Sequence, residues 1–330
     1  MKVAVVILNW NGRLLLEKFL PSVIKFSEDA QVYIADNAST DDSVEFVRKN
    51  FPTVKIILNQ VNGGYAKGYN DALKNLSEDI FVLLNSDVEV TSNWITPIIS
   101  EFRKDNSIAA AQPKILDYKQ KTHFEYAGAA GGFIDKYGFP YCRGRIFESL
   151  EEDLGQYDNV QPVFWASGAC LFIRATDFKL VGGFDEDYFA HQEEIDLCWR
   201  LHSANKKVIA VGTSKVYHVG GATLGSADPK KTFLNFRNSL FNLIKNVSGP
   251  RIYLTIFIRL CIDGVAGINF LFKGKAKHTL AIIKSHFHFY ASLPVFLKKR
   301  KVYASNKKYF SLNSIVFKHF IGKKNNYNEL

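Results

Sequence analysis

With 330 residues and 47% hydrophobic content, the chain can form one large α/β domain with an appendage, or two domains. Its four cysteines, Cys142, Cys170, Cys198 and Cys261, form no CxxC or Cys/His cluster, which argues against a zinc site or a disulfide framework and fits a reducing cytosol. The net charge of +10 is uneven: from Arg251 onward 15 Lys and Arg face only Asp263 and Glu329, a net of +13, while the preceding 250 residues carry 27 basic and 30 acidic groups, so the basic character belongs to the tail.

The opening "MKVAVVILNWNG" is a short apolar run without a small-residue cleavage site, so a buried first strand is expected there, not a signal peptide. A cytoplasmic chain is therefore expected, in which the sequon-like "NAS" and "NVS" are silent. The runs "VAVVIL", "VYIA", "VKIIL" and "IFVLL" are β-branched, bounded by polar turns, and separated by segments of helical spacing. Leu15, Phe19 and Val23 form one stripe, and Val44, Phe46 and Val47 begin another. Strands alternating with helices imply a parallel sheet covered on both faces, with ligands at the carboxyl ends of its strands. The polar residues at those ends are Asn9-Trp10-Asn11, Asp36-Asn37, Asn59 with Asn62-Gly63-Gly64, and Asn85-Ser86-Asp87.

Beyond about residue 108 the pattern loosens into loops or hairpins such as "YAGAAGGFIDKYGFPY", read as an acceptor-side subregion. Order returns with "VFWASGACLFIR", a helix over "EEIDLCWRL" and a strand "KVIAVGTSKVYHV". In that helix Ile195, Cys198, Trp199 and His202 form the buried stripe, and Asp196 can pair with Arg200 one turn on. From Lys230 the chain becomes helical and rich in Phe, Leu, Ile and Lys, which suggests a catalytic domain over 1–229 and a helical, basic extension over 230–330. The stretch from Ile252 to Phe272 approaches membrane-spanning length but carries Arg259 and Asp263 at i,i+4, so a helix in the membrane interface or packed on the domain is expected.

Dinucleotide and P-loop chemistry lose their support, because "NWNGRLLLE" has one glycine where GxGxxG is needed and no GxxxxGK[ST] occurs. Asp36 can accept from the base or sugar of a nucleotide, or cap the following turn. "NGGYAKGYN" suits close backbone approach to a ligand, with Lys67 near its phosphates, or a plain turn into a helix. Asp87, after a buried strand, has the hard oxygen that a divalent cation on a diphosphate requires, and His218 before Gly-Gly can complete such a site. Glu193 and Glu194 open a helix, whose N-terminus should keep a proton acceptor ionised.

The ordered series "VVILNWNG", "IADNASTDDS", "NQVNGGYAKGYN", "LLNSDVEV", "GACLFIRATDFKLVGGFDEDYF", "EEIDLCWRL", "VYHVGGAT" and "FLNFRNSLFNLIKN" resembles the family 2 inverting glycosyltransferases of the GT-A fold over about residues 1–245. The resemblance implies a mostly parallel sheet flanked by helices and a non-processive, rhamnosyltransferase-like enzyme, since QxxRW is absent. It implies that Asp36 contacts the base, that Asn85, Ser86 and Asp87 stand in the place of a DxD-type element, and that Asp87 and His218 serve Mn²⁺ or Mg²⁺. Asn9, Trp10, Asn11, Asn62, Lys67 and Arg237 are further candidates for the nucleotide-sugar site. Glu193-Glu194 matches a Glu-Asp pair whose second member is the usual base; here that member is Glu194, one methylene longer, and both carboxylates stay candidates.

The expected function is transfer of one sugar from a nucleotide-diphosphate sugar to a glycan or lipid-linked hydroxyl in cell-surface polysaccharide biosynthesis. The expected partners are that donor, that acceptor and an anionic membrane surface on the cytoplasmic side, with no nucleic acid. A sugar nucleotidyltransferase would want a Gly- and Arg/Lys-rich loop after the first strand, where only Gly12 and Arg13 stand. A nucleic-acid-binding protein would have to rely on the basic tail alone.

Overall fold

A computed structural model describes residues 1–27, 30–220 and 228–330. Its elements run β1 (Val3–Asn9), α1 (Arg13–Phe26), β2 (Ala30–Asp36), α2 (Ser43–Asn50), β3 (Lys55–Leu58), α3 (Gly64–Leu73), β4 (Ile80–Asn85), β5 (Val88–Val90), α4 (Thr96–Lys104) and β6 (Ile108–Asp117). Short strands β7 (Gly132–Ile134), β8 (Pro140–Cys142), β9 (Arg145–Ile146), β10 (Ser149–Leu150) and β11 (Val160–Pro162) lead to β12 (Cys170–Arg174) and α5 (Ala175–Leu180). Then come α6 (Glu193–Ser203), β13 (Lys207–His218), α7 (Pro229–Asn246), α8 (Arg251–Phe272) and α9 (Ala276–Tyr303).

The main sheet has the order β11-β13-β6-β12-β4-β1-β2-β3, with β5 beside β13, and β7 to β10 form a separate antiparallel sheet. Strands β1 to β4 pair in parallel, whereas β12 enters antiparallel between β4 and β6. Alternation along the strands divides the core. Ala4, Val6, Tyr33, Ala35, Phe81 and Leu83 pack on the side of α3, α5, α6 and α7, and Val3, Val5, Ile7, Val32, Ile34 and Val82 pack against α1, α2 and α4. On α1 the buried stripe is Leu16, Phe19, Leu20 and Val23, one position off the Leu15 register read from sequence.

The expectation of loose structure after residue 108 needs correction, because β6 is a ten-residue strand buried along nearly its whole length. Its signal is weak because three alanines, Gln112, Pro113 and Lys114 interrupt any β-branched pattern. Each finds an internal solution. Pro113 lies where the register with β13 shifts, so the ladder loses little from its missing N–H. The Gln112 amide donates to the carbonyls of Pro113, Gly128 and Ala129, and Lys114 pairs with Asp153 at 2.7 Å and with Asp158.

The compositional change at 229/230 is not a break in packing: Leu240, Phe241 and Leu243 of α7 and Phe289 and Phe296 of α9 share one core with Val6 and Leu83 of the sheet. The Phe241 and Phe296 rings stack at 3.8 Å. Downstream, Tyr327 stacks on Phe133 and the Ile315 N–H donates to Asp135 Oδ2, so the tail also wraps the small sheet.

A buried ion cluster joins these parts. Asp196 on α6 accepts from Arg200 Nε at 2.8 Å, from Lys245 Nζ at 2.9 Å and from Asn246 Nδ2 at 3.0 Å. Lys245 also reaches Asp185 at 2.7 Å, and Lys299 of α9 reaches Asp185 and Asp187. Burial opposes ionisation of Asp196, yet Arg200, Lys245 and the Asn246 amide outweigh it and hold the carboxyl far below the usual range. Removing one member of such a buried set leaves uncompensated charge, so Asp196→Asn is expected to cost about 3–5 kcal/mol in a urea titration at pH 7. A depressed folded-state pKa gives stability that is complete above the unfolded value of roughly 3.9 and is lost as pH falls below it, so the gap between wild type and variant should close in acid. An equal gap at pH 7 and pH 3 would show that Asp196 acts without its charge.

Candidate active site

The parallel register of β1, β2 and β4 sets Asn9 opposite Asp36 and Leu8 opposite Asn85, which gathers their polar ends at one edge. The buried Asn9 amide donates to Asp36 Oδ1 at 2.9 Å, Ser39 Oγ at 3.1 Å and Ser43 Oγ at 2.9 Å, while Asp36 Oδ2 accepts from Ser39 N at 3.0 Å. Asn11, at φ 50°, accepts from Thr40 N at 2.7 Å. Asn9 and Asn11, expected to touch the donor, therefore hold the loop that presents Asp36, and Trp10 between them is exposed.

A second amide cluster follows. Asn37 donates to Asn62 Oδ1 at 2.9 Å and to the Gly64 carbonyl at 3.1 Å, and Asn59 donates to Asn37 Oδ1 at 3.2 Å. Gly64 has φ 76°, and a Cβ there would stand 2.5 Å from the Phe189 carbonyl oxygen. That oxygen accepts from the N–H groups of Tyr65 and Ala66, so the close approach read from these glycines is made by the chain itself, at the N-terminus of α3. Lys67, expected near phosphates, pairs with Asp71 at 2.9 Å and lies 3.9 Å from Glu186.

The third cluster forms because β5 pairs with the end of β13, with His218 opposite Val88. Asp87 Oδ1 comes within 3.1 Å of His218 Nε2, and Asn85 Nδ2 lies 3.4 Å from the same nitrogen. On the other side His218 Nδ1 lies 3.1 Å from Glu125 Oε2, an ion-pair distance with the N–H angled off the oxygen. Burial lowers the imidazole pKa, but Asp87 and Glu125 outweigh it and push it up to about 10. An oxygen and an imidazole nitrogen this close, both buried, fit adjacent ligand positions on one divalent cation. Among the described residues no group of three His, Cys, Asp or Glu side chains could hold a metal. A cation here would thus take its remaining ligands from substrate or water, as Mg²⁺ and Mn²⁺ commonly do. Glu125 was not found by sequence reasoning; a single acid in "HFEYAG" carries no spacing signal, and its place is set by the bridge between Leu116 and Phe124.

The fourth cluster is the start of α6. Phe189, His191 and Gln192 all have positive φ, a costly backbone for non-glycine residues. Arg237 and Asn238 hold it in place: Arg237 Nη2 donates to the carbonyls of Asp187 and Tyr188, and Asn238 Nδ2 donates to those of Tyr188, Ala190 and His191. Arg237, expected at the diphosphate, is thus engaged as a clamp on this loop. Glu193 is buried with Oε2 unpartnered, and Glu194 is half-buried.

At the start of α6 burial opposes the pull of the helix N-terminus on both carboxylates. Desolvation pushes Glu194 up to about 7 against the backbone N–H groups of Gln192 and Glu194, and burial with the neighbouring Glu194 charge drives Glu193 well above its usual value. The macrodipole contributes a few tenths to about 1 kcal/mol, less than burial costs here. Burial thus raises both carboxyls of the pair, and Glu194 lies near neutrality.

Comparison with known proteins agrees with this arrangement. The sequence profile of glycosyl transferase family 2 matches residues 4–151. The N-acetylglucosaminyl-diphospho-decaprenol L-rhamnosyltransferase of Mycobacterium tuberculosis is 28% identical over 222 residues, 62% of this chain and 71% of that protein. Rhamnosyltransferase WbbL of Escherichia coli K12 is 39% identical over 171 residues, 49% of this chain and 64% of that one. In fold, the chain is similar to the mannosyltransferase PcManGT of Pyrobaculum calidifontis, solved with GDP-Man and Mn²⁺, with a TM-score of 0.55 at 14% identity over 88% of this chain and 87% of that one. The profile match and the relatives lead to one conclusion: residues 4–151 carry a family 2 glycosyltransferase domain, in a chain with the GT-A fold.

Proposed function

We propose that this enzyme is an inverting, non-processive glycosyltransferase that moves a single sugar, as its rhamnosyltransferase relatives do, from a nucleotide-diphosphate donor to a hydroxyl of a glycan or lipid-linked acceptor. The observation that carries this reading is the pair of clusters supplied by β4–β13 and by α6, one suited to a diphosphate with its cation and the other to a proton acceptor. Residues 1–229 hold the donor, with Asp36 toward the base and Asn62, Asn85 and Ser86 lining the same strand edge. Residues 230–330 brace the α6 loop and bring the enzyme to the cytoplasmic face of a membrane, where a lipid-linked acceptor is held.

Glu194 takes the proton of the acceptor hydroxyl, and that oxygen forms its bond to the anomeric carbon as the bond to the diphosphate breaks on the opposite face, inverting the centre. Mn²⁺ or Mg²⁺, held by Asp87 and His218, would supply positive charge to the departing diphosphate. Burial and the neighbouring Glu194 disfavour a second negative charge on Glu193 beside the base, and Arg237 and Asn238 keep the loop before it fixed.

Glu194→Gln keeps shape and removes the acceptor, so turnover should fall by roughly 10²–10⁴ with donor affinity nearly unchanged, and Glu193→Gln should cost much less. Because the base works only when ionised, log kcat/KM of the wild type should rise with pH and level off above about 7. Near-normal turnover of Glu194→Gln moves the base to Glu193 or Asp185.

Asp87→Ala should abolish transfer and weaken Mn²⁺-dependent nucleotide binding, measured by calorimetry, while circular dichroism shows the fold retained. Full activity of the wild type in excess EDTA would exclude the cation role of Asp87.

A further inference from the structure

We propose that the outward faces of α8 and α9 form a docking surface that lies in the plane of an anionic lipid bilayer, sunk into one leaflet and not spanning it. The inference rests on the membrane attachment proposed above and assigns it to particular residues. On α8 the exposed positions Leu254, Phe257, Cys261, Val265, Ile268 and Phe272 follow one another at intervals of three and four, a continuous stripe along most of the 22-residue helix. On α9 Leu280, Ile283, Phe287 and Tyr290 do the same. Phe272, Phe287 and Val265 are 88%, 73% and 67% exposed, and so large a contiguous apolar face on a water-soluble surface marks an interaction site.

Charge selects the occupant. The exposed cations Arg251, Lys273, Lys275, Lys277, Lys284 and Lys298 surround the stripes, and the only carboxylate from Arg251 to Tyr303 is Asp263, fully buried. A second copy of the chain would bring like charge against like, whereas anionic lipid headgroups complement both the cations and the apolar stripes. A groove of about 440 Å³ between α7 and α9 continues this face, lined by Phe233, Leu280 and Ala281 and edged by Lys230, Lys277 and Lys284. The Lys230 ammonium stands 5.2 Å from the Phe189 ring, so the lipid-facing side borders the loop that leads to Glu193 and Glu194.

Both helices are long and apolar enough to cross a bilayer by length and composition, but the middle of α8 is fastened to the catalytic body. Arg259 donates to Asp263 at 2.7 Å, to the Tyr137 carbonyl at 2.9 Å and to Ser239 Oγ at 2.6 Å, and its guanidinium lies 3.6 Å from the Phe139 ring centroid. A spanning α8 would tear these groups from their partners and carry a charged pair to mid-bilayer. Docking in the plane keeps every one of them.

Cys261 provides the test, because it is exposed at the centre of the α8 stripe while Cys142, Cys170 and Cys198 are buried. Full-length protein labelled there with an environment-sensitive fluorophore should shift to the blue on vesicles of phosphatidylcholine with phosphatidylglycerol. It should be quenched more by a nitroxide near the lipid headgroup end of the acyl chain than by one near its terminal methyl. A variant with Phe257→Glu, Ile268→Glu and Phe287→Glu, checked for an unchanged melting temperature, should partition onto these vesicles roughly a hundredfold less or worse. Strongest quenching by the deep nitroxide would mean spanning and overturn the proposal. Vesicle binding by that variant equal to wild type would place the attachment elsewhere in the tail and overturn the assignment of this face alone. A blue shift that needs no vesicles and grows with protein concentration would identify a second copy as the occupant. Failure of the wild type to bind anionic vesicles at low salt would overturn the membrane reading as well, and none of these readouts depends on sugar transfer.

Discussion

The buried carboxylate of Asp196 is the interaction on which the arrangement of the active site depends. It draws Arg200 from its own helix and Lys245 and Asn246 from α7 to one point, and Lys245 passes the connection on to Asp185 and, through Lys299, to α9. That fixes α6 against α7 in both position and rotation. With α6 so placed, the loop before it has little freedom, and Arg237 and Asn238, a few residues earlier on α7, hold its carbonyls in a left-handed backbone. The C-terminal helices thus act at a distance on Glu193 and Glu194, which explains why a helix from the extension is buried in the body of the enzyme.

The same packing decides the chemistry of those carboxylates. A helix N-terminus favours negative charge, but its pull is small beside the cost of desolvating two adjacent acids. The consequence is useful for catalysis: burial raises both acids, and Glu194, pushed up to about 7, is a base strong enough to accept a proton and still ionised near neutrality. At the opposite cluster charge runs the other way. His218, between Asp87 and Glu125, carries a proton that a cation on Nε2 would have to replace.

Much of this was legible in the sequence, for reasons that differ by element. Strands β1 to β4 show as β-branched runs, and the parallel register brings the ends of β1, β2 and β4, with Asp36 and Asn85, to one edge, as the sequence implies. The Asp196–Arg200 pair and the buried stripe of α6 follow from helical spacing. Strand β6 carries little signal because Gln112 and Lys114 are satisfied by partners 16 to 55 positions away and Pro113 by a register shift against β13. Glu125 escaped for a similar reason. Asn9, Asn11 and Arg237, which read in the sequence as ligand-binding polar groups, also hydrogen-bond within the fold to backbone and side chains that position others, and Asn9 Oδ1 stays without a partner. Local pattern reveals which polar residues gather, and only the tertiary contacts reveal which of them are already engaged.

The proposed reaction is a single displacement, with one base acting on the acceptor and no covalent sugar on the enzyme. The most direct measurement is the anomeric configuration of the product by proton NMR, with the nucleotide sugar that most raises the enzyme's melting temperature in the presence of Mn²⁺ as donor. A product whose anomeric centre is opposite to that of the donor is the result predicted here. Retention of the donor's configuration would contradict it, because a single attack on the face opposite the departing diphosphate inverts the centre.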